Sequence, residues 1–144
     1  MQRPTIVLTG NPNCGKTTLF NALTGSNQKI GNWPGVTVEQ IEGIMNHNGK
    51  EYRIVDLPGI YSLSAFSDDE RISRDYLMSR EADLVVNIVD AANIDRNLYL
   101  TSQLIELKIP VVIILNRMDL AEKQNKIIDT ALLSTQLGCP VIES

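Results

Sequence analysis

Three short apolar runs in the chain lack the alternation that marks a half-buried strand. They lie at Thr5–Thr9, Leu84–Val89 and Val111–Leu115 and consist largely of Val, Ile and Leu. Strands that are buried on both faces have this composition, which is typical of the centre of a parallel sheet. We therefore predict three parallel strands at these positions.

The segments between these runs show the spacing and the end signals of helices. Ser67 and Glu70 form a capping-box pattern at the start of one segment, and Gly25 and Gly138 are stop signals after two others. The predicted helices are Lys16–Thr24, Asp69–Arg80, Asn97–Lys108 and Thr130–Leu137. Strands that alternate with helices predict a doubly wound sheet with helices on both faces.

One stretch departs from this alternation. Val38–Met45 and Glu51–Val55 are separated by a turn that contains Asn48-Gly49, and both of these residues accept a positive φ. We therefore predict an antiparallel hairpin at the edge of the sheet. The predicted fold class is α/β, with three layers and a mostly parallel sheet that carries one antiparallel edge hairpin.

Length and charge narrow the possible functions. The 144 residues suffice for one domain, and a formal net charge of −4 without a basic stripe argues against nucleic acid as a partner. Two cysteines do not form a disulfide framework, and no apolar run approaches the roughly 20 residues that span a bilayer. Since Cys139–Ile142 resembles the start of a last strand, we expect a longer protein in which a closing helix follows.

The loop after the first strand carries the pattern Gly-x-x-x-x-Gly-Lys-Thr. Its glycines let backbone N–H groups curve around a phosphate, and the following helix directs its positive end to the same anion. Lys16 would reach the β- and γ-phosphates, and the Thr17 hydroxyl would bind Mg²⁺. The alternative is a tight glycine turn beside an unrelated lysine. The predicted phosphate-binding residues are Gly10, Asn11, Pro12, Asn13, Cys14, Gly15, Lys16, Thr17 and Thr18.

Three further residues would complete a magnesium and γ-phosphate site. Asp56 follows a predicted strand and can hold Mg²⁺, while the Gly59 N–H can contact the γ-phosphate. Thr37 can add a second hydroxyl to Mg²⁺ and contact the γ-phosphate through its N–H. The alternatives are a chance turn for Asp56–Gly59 and an ordinary strand-starting residue for Thr37. Lys16, Thr37, Gly59 and Asn13 are the predicted catalytic residues.

A motif that would recognise the base of a bound nucleotide follows the third apolar run. Its residues are Asn116-Arg117-Met118-Asp119. An ionised Asp119 accepts hydrogen bonds from N1–H and the N2 amino group of guanine, whereas adenine offers no such pair. Asn116 can bond the base or tie this loop to the phosphate loop. Arg117 stands where a lysine is usual, and its stem can cover the base. GTP is therefore the predicted substrate and GDP the product.

Together these motifs resemble a Ras-like G domain, a P-loop nucleotide-binding fold. A fifth element, a Ser-Ala-type loop that contacts guanine, would fall just beyond Ser144. We therefore expect residues 1–144 to be a G domain that stops before this loop and before its closing helix. Two segments, about Gln28–Val38 and Gly59–Asp69, are expected to rearrange with the γ-phosphate.

A closer resemblance rests on Gly31–Glu39, Asp56–Leu63, Asn97–Leu100 and Gly138–Val141. These stretches resemble the amino-terminal G domain of the FeoB family of bacterial ferrous-iron transporters. The resemblance implies a GTP switch at the cytoplasmic face of the inner membrane that regulates or energises iron uptake. It also implies downstream helical and transmembrane domains of the same protein as partners, and an oligomer through the transporter.

The resemblance further implies activation by potassium. Ile60 occupies the place of the water-positioning glutamine of Ras-like proteins and cannot perform that role. The resemblance implies that Asn13 supplies an oxygen ligand to K⁺ and that the backbone carbonyls around Gly31 and Trp33 supply others. A cation there offsets charge that develops in hydrolysis. The alternative is that Asn13 only braces the loop.

Two other functions stay open at this point. One is a GTP/GDP sensor with negligible turnover, which Ile60 favours. The other is a ribosome- or tRNA-linked GTPase, against which the acidic balance and the Gly31–Glu39 stretch count. His47, Cys14 and Cys139 lack metal-ligand spacing, so no iron site is predicted.

Overall fold

The computed structural model describes residues 3–144, which form one seven-stranded sheet with helices on both faces. The strands are β1 Thr5–Gly10, β2 Gln28–Asn32, β3 Glu39–His47, β4 Lys50–Asp56, β5 Leu84–Asp90, β6 Val111–Asn116 and β7 Val141–Glu143. The helices are α1 Lys16–Thr24, α2 Asp68–Met78, α3 Ile94–Glu106, α4 Met118–Lys123 and α5 Thr130–Leu137, and a 3₁₀ turn covers Ala91–Asn93.

The order of strands across the sheet is β2-β3-β4-β1-β5-β6-β7. The five strands from β4 to β7 pair in parallel, and β2 and β3 add antiparallel pairs at one edge. The α/β fold class is therefore confirmed. Because β1, β4, β5 and β6 run in one direction, their carboxyl ends meet at one edge of the sheet, where ligands bind in such folds.

Alternate residues of β1 belong to two separate cores. Val7 packs in a larger apolar cluster that α2 and α3 cover through residues such as Leu77 and Leu100. Its neighbour Leu8 packs on the other face, where Phe20 of α1 covers it. This burial on both faces accounts for the unbroken apolar run in the sequence.

The predicted hairpin is confirmed as β3 and β4, but the antiparallel part of the sheet has a third strand. Gln28–Asn32, for which the sequence predicts a switch loop, forms β2 and is exposed along its whole length. Its sequence shows no alternation of apolar and polar residues, because the strand is held by backbone pairing with β3 and not by burial of its side chains. The six residues of α4 also lie outside the predicted helices, since a helix this short carries no periodic pattern.

Two helices begin and end earlier than the sequence predicts. α2 spans Asp68–Met78 and not Asp69–Arg80, because Arg80 adopts a left-handed backbone with φ 63°. α3 spans Ile94–Glu106 and not Asn97–Lys108, because Lys108 has φ 59°. α1 and α5 have the predicted bounds.

Candidate nucleotide-binding site

The loop between β1 and α1 has the backbone shape that the glycine pattern predicts. Gly15 lies at φ 97° directly before α1, and Asn13 is also left-handed at φ 63°. The Cys14 N–H donates to the Asn11 carbonyl at 3.3 Å, and the Leu19 N–H donates to the Gly15 carbonyl at 3.2 Å. Left-handed turns of this kind direct N–H groups into one concavity that suits an anion.

Two glycines in this region are needed for close approach of the backbone. A Cβ at Gly10 would lie 2.6 Å from the Ile88 carbonyl oxygen and 2.7 Å from the Cys14 sulfur. A Cβ at Gly59 would lie 3.0 Å from the Cα of Pro12. The Ile60 N–H donates to the Gly10 carbonyl at 3.0 Å. This hydrogen bond fixes the start of the second predicted switch segment, Gly59–Asp69, against the phosphate loop.

Lys16 and Asp56 meet in the site although 40 residues separate them. The Lys16 ammonium donates to Asp56 Oδ1, and both side chains are almost completely buried. Burial raises the pKa of the Asp56 carboxyl above its ordinary value, and the charge and hydrogen bond of Lys16 counteract part of that rise. The predicted phosphate-binding lysine and the predicted magnesium-binding carboxylate thus compensate each other's charge in this structure.

The predicted base loop is tied to the phosphate loop. The Asn116 side-chain amide donates to the Cys14 carbonyl at 3.0 Å, across 102 residues of sequence. Arg117 adopts φ 62° and precedes α4, so that the exposed Asp119 lies in the first turn of that helix. A carboxylate is favoured at a helix N-terminus, where unpaired N–H groups point outward.

A cavity of about 470 Å³ lies where these elements meet. It brings together most of the predicted phosphate-binding residues and one residue of the predicted base loop. The lining residues are Asn11, Pro12, Asn13, Gly15, Lys16, Thr17, Thr18, Gly59, Asp69 and Arg117. Cys14 is buried and belongs to the core under α1. Its main contribution to the site is therefore its backbone, and burial raises the pKa of its thiol.

The first predicted switch segment, Gln28–Val38, contributes no residue to the lining of this cavity. Gly31 belongs to the edge strand β2, three strands away from β1. Trp33 is buried in the core, where its ring makes an edge-to-face contact with Tyr76 at 5.6 Å between centroids. Its carbonyl accepts from the Val36 N–H at 3.3 Å, and Thr37 is exposed. The structure therefore does not bring Gly31, Trp33 or Thr37 to the cavity that Asn13 lines.

Two acidic residues lie at the site although they were not among the predicted site residues. Asp69 lines the cavity, whereas the sequence placed it only at the end of the second predicted switch segment, Gly59–Asp69, and at the start of a helix. Asp90 ends β5 and contacts Arg117 Nη1 through its Oδ2 at 3.3 Å. The sequence did carry a signal for Asp90, because it directly follows a buried parallel strand in the same way as Asp56.

A family comparison gives this geometry a context. Residues 4–144 match FeoB_N, the family described as ferrous iron transport protein B. The chain belongs to the FeoB_N family. The Fe(2+) transporter FeoB of Escherichia coli strain K12 is 56% identical to it over 146 residues. That alignment covers 99% of this FeoB_N chain but only 19% of the transporter, so the chain spans about a fifth of its curated relatives.

Solved structures of related proteins have the same fold. A mutant of S. thermophilus NFeoB bound to GDP matches with a TM-score of 0.92 and 53% identity, covering 98% of this chain and 55% of that one. The cytosolic domain of L. pneumophila FeoB matches with a TM-score of 0.93 and 53% identity, covering 97% and 56%. Within residues 3–144, no helix has the length and apolar character needed to cross a membrane.

Proposed function

We propose that this chain is a magnesium-dependent GTP switch that hydrolyses GTP slowly and is activated by potassium. One observation carries the proposal: the Asn116 amide binds the Cys14 carbonyl at 3.0 Å and so joins the guanine-type motif to the phosphate loop. One cavity can then hold a base and a phosphate chain together. The GDP bound to the S. thermophilus relative supports a guanine nucleotide as the ligand here.

The residues of the site suit a magnesium ion. Asp56 and the exposed Thr17 supply the carboxylate and hydroxyl oxygens that Mg²⁺ prefers. When a triphosphate enters, its oxygens compete for the Lys16 ammonium, which leaves the Asp56 carboxylate free. The metal, when bound, neutralises negative charge on the phosphates. Thr37 would add its hydroxyl only after the first switch segment moves, because it is exposed outside the cavity.

Potassium binding rests on Asn13. Its side chain is exposed in the cavity at a left-handed backbone position, so its amide oxygen is available to a cation. The Trp33 carbonyl accepts from Val36, and Gly31 is paired with Gln40 in the sheet. For these carbonyls to join Asn13, the first switch segment would have to leave β3 and the core. Potassium activation is thus coupled to the closure of this segment.

Slow hydrolysis follows from Ile60. Its side chain is 2% exposed and its N–H is engaged by the Gly10 carbonyl, so it offers no group that could orient water. Removal of a preorganised polar group from an active site costs about 100-fold in rate or more. A cation held by Asn13 would recover part of that loss by stabilising charge on the transferred phosphate.

Single-turnover phosphate release from Mg·GTP tests the proposal, measured in KCl and in NaCl with the 144-residue chain. We expect faster release in KCl, and we expect Asn13→Ala to remove the difference while GDP affinity stays nearly the same. Asn48→Ala is the matched control, since Asn48 is also an exposed left-handed asparagine but lies in the β3–β4 turn. A potassium response that survives in Asn13→Ala would refute the role of this residue.

The second candidate is a sensor that binds GTP and GDP with negligible turnover. The buried, apolar Ile60 beside the phosphate loop favours it. The same measurement separates the two functions, because a pure sensor would release phosphate equally slowly in both salts and in both variants.

We further propose that the switch regulates or energises ferrous iron uptake at the cytoplasmic face of a bacterial inner membrane. Helical and transmembrane domains of the same protein would be its partners, within an oligomeric transporter. The match to FeoB transporters over one fifth of their length supports this assignment. Iron uptake by the full-length protein should fall when Lys16→Ala blocks nucleotide binding, and unchanged uptake would separate transport from the switch.

A further inference from the structure

A buried carboxylate contacts the base-recognition loop from the neighbouring strand. Asp90 is the last residue of β5 and pairs in register with Asn116, the last residue of β6. Its side chain is 7% exposed, and its Oδ2 lies 3.3 Å from Nη1 of Arg117. An ion pair with one partner buried is less screened by solvent than a surface pair.

Asp90 is itself held in a fixed position. Its Oδ1 accepts from the Ala92 N–H at 3.0 Å, and its Oδ2 accepts from the Asn93 side-chain amide at 3.0 Å. The Asp90 N–H donates to Oδ1 of Asn97 at 3.1 Å, and the Asn97 amide donates to the Asn93 carbonyl at 2.9 Å. The carboxylate therefore presents a rigid acceptor to Arg117.

Arg117 has few other constraints. It adopts φ 62°, its side chain is 42% exposed, and it lines the same cavity as the phosphate loop. A long side chain with this exposure would otherwise sample many rotamers, and ordering it costs about 1–2 kcal/mol. The Asp90 contact holds the guanidinium, and Arg117 is one of the residues that line the cavity.

We propose that Asp90 is a positioning residue for guanine binding, which acts by fixing Arg117 over the base. The inference rests on the proposed function, in which the Asn116–Asp119 loop reads guanine. It assigns a role to the arginine that replaces the usual lysine: its guanidinium pairs with Asp90 and its stem covers the base. Asp90 itself makes no contact with the nucleotide in this role.

A double-mutant cycle on the 144-residue chain tests the proposal, with GDP affinity measured by calorimetry. Arg117→Met keeps an apolar stem and removes the charge, and Asp90→Asn keeps the size of the side chain and removes its charge. We expect each single change to weaken GDP binding about three- to tenfold, the scale of one charge-assisted contact. In the Arg117→Met background Asp90→Asn should add no further loss.

Magnesium tripolyphosphate provides the base-free probe. Its affinity should change much less than that of GDP in all three variants, because it has no base for Arg117 to cover. An equal loss from Asp90→Asn with and without Arg117, or an equal loss for GDP and tripolyphosphate, would overturn the role, since Asp90 would then only stabilise the 3₁₀ turn. Absence of GDP binding by the unsubstituted chain would overturn the proposed function as well.

Thermal unfolding of each variant identifies a change that only damages the fold. If Asp90→Asn unfolds, the comparison passes to Arg117→Lys and Arg117→Met. Lysine can still pair with Asp90, so it should lose less GDP affinity than methionine does. Equal losses in the two variants would overturn the proposal.

Discussion

The phosphate loop and the first switch segment were both predicted to contact the nucleotide, but only the phosphate loop lines the cavity. The phosphate loop has the left-handed turn that its glycine pattern predicts, with Gly15 at φ 97° and Asn116 bonded to the Cys14 carbonyl. The first switch segment instead forms the edge strand β2 and buries Trp33 against Tyr76. Backbone conformation fixes the first region, whereas the second has an alternative partner in the protein itself. If the first switch segment contacts the nucleotide as proposed, it must leave this partner, whereas the phosphate loop needs no such rearrangement.

The largest expected effect comes from breaking the preformed region at Gly15. A Cβ there would overlap the Asn116 amide nitrogen, at a φ that L-residues avoid. Gly15→Ala should destabilise the fold by about 1–3 kcal/mol and weaken GDP binding roughly 100-fold, since strain and lost contacts add. Chemical denaturation and calorimetry measure the two effects.

Gly138→Ala is the matched control for this change. Gly138 also has a positive φ, 72°, but within residues 3–144, its two chain neighbours aside, no atom lies within 4 Å of the position that a Cβ would occupy. Its substitution should cost stability alone, about 1–2 kcal/mol. If both variants kept normal GDP affinity, the phosphate loop would not be the preformed site.

Thr37→Ala tests whether the first switch segment is recruited by GTP. Thr37 is exposed in this structure, so its loss should leave stability and GDP affinity nearly unchanged. If it joins the metal and the γ-phosphate in the GTP state, hydrolysis should slow by about tenfold or more. Phosphate release and GDP titration measure the two quantities, and normal hydrolysis would keep Thr37 out of the mechanism.

Trp33 reports the same movement directly, because it is the only tryptophan in the chain. Its emission should shift to longer wavelength when a non-hydrolysable GTP analogue and K⁺ draw the segment away from Tyr76. Tyr76→Ala should destabilise the position of the segment in this structure, with Trp33 in the core, by about 0.5–1.5 kcal/mol beyond the lost burial, and should give part of the shift without nucleotide. Tyr76→Phe keeps the ring and should behave like the unsubstituted chain. Identical spectra with GDP and the analogue would count against recruitment.

The smallest expected effect concerns the ionisation of the buried Asp56 carboxyl. The pKa of Asp56 is raised by burial, so the folded chain binds more protons than the unfolded chain between the two pKa values. The free energy of unfolding should therefore fall as pH rises from about 4 through the raised pKa. Asp56→Asn should remove this decline, which denaturation at several pH values measures.

Glu70 provides the internal contrast in this experiment. Hydrogen bonds from Ser64 and Ser62 lower the pKa of its carboxyl, so its contribution is lost as pH falls below the ordinary range of Glu. That loss should occur equally in Asp56→Asn and in the unsubstituted chain. A decline with rising pH that persists in Asp56→Asn would show that another group causes it.

Much of the fold followed from the sequence alone. Unbroken apolar runs located β1, β5 and β6, because burial on both faces requires apolar residues throughout. Glycine stops located the ends of α1 and α5, because their backbone conformations suit glycine. The backbone shape of the phosphate loop was also predictable, since local residue types, its glycines above all, encode it.

Other features were decided only by tertiary structure. The strand β2 has no apolar pattern of its own and exists because β3 offers it backbone partners. Trp33 is buried because α2 packs Tyr76 against it. Asp90 contacts Arg117 because β5 and β6 end side by side. Sequence determines what a residue can do through its local conformation and chemistry. Contacts between distant segments depend on packing, which no short stretch of sequence contains.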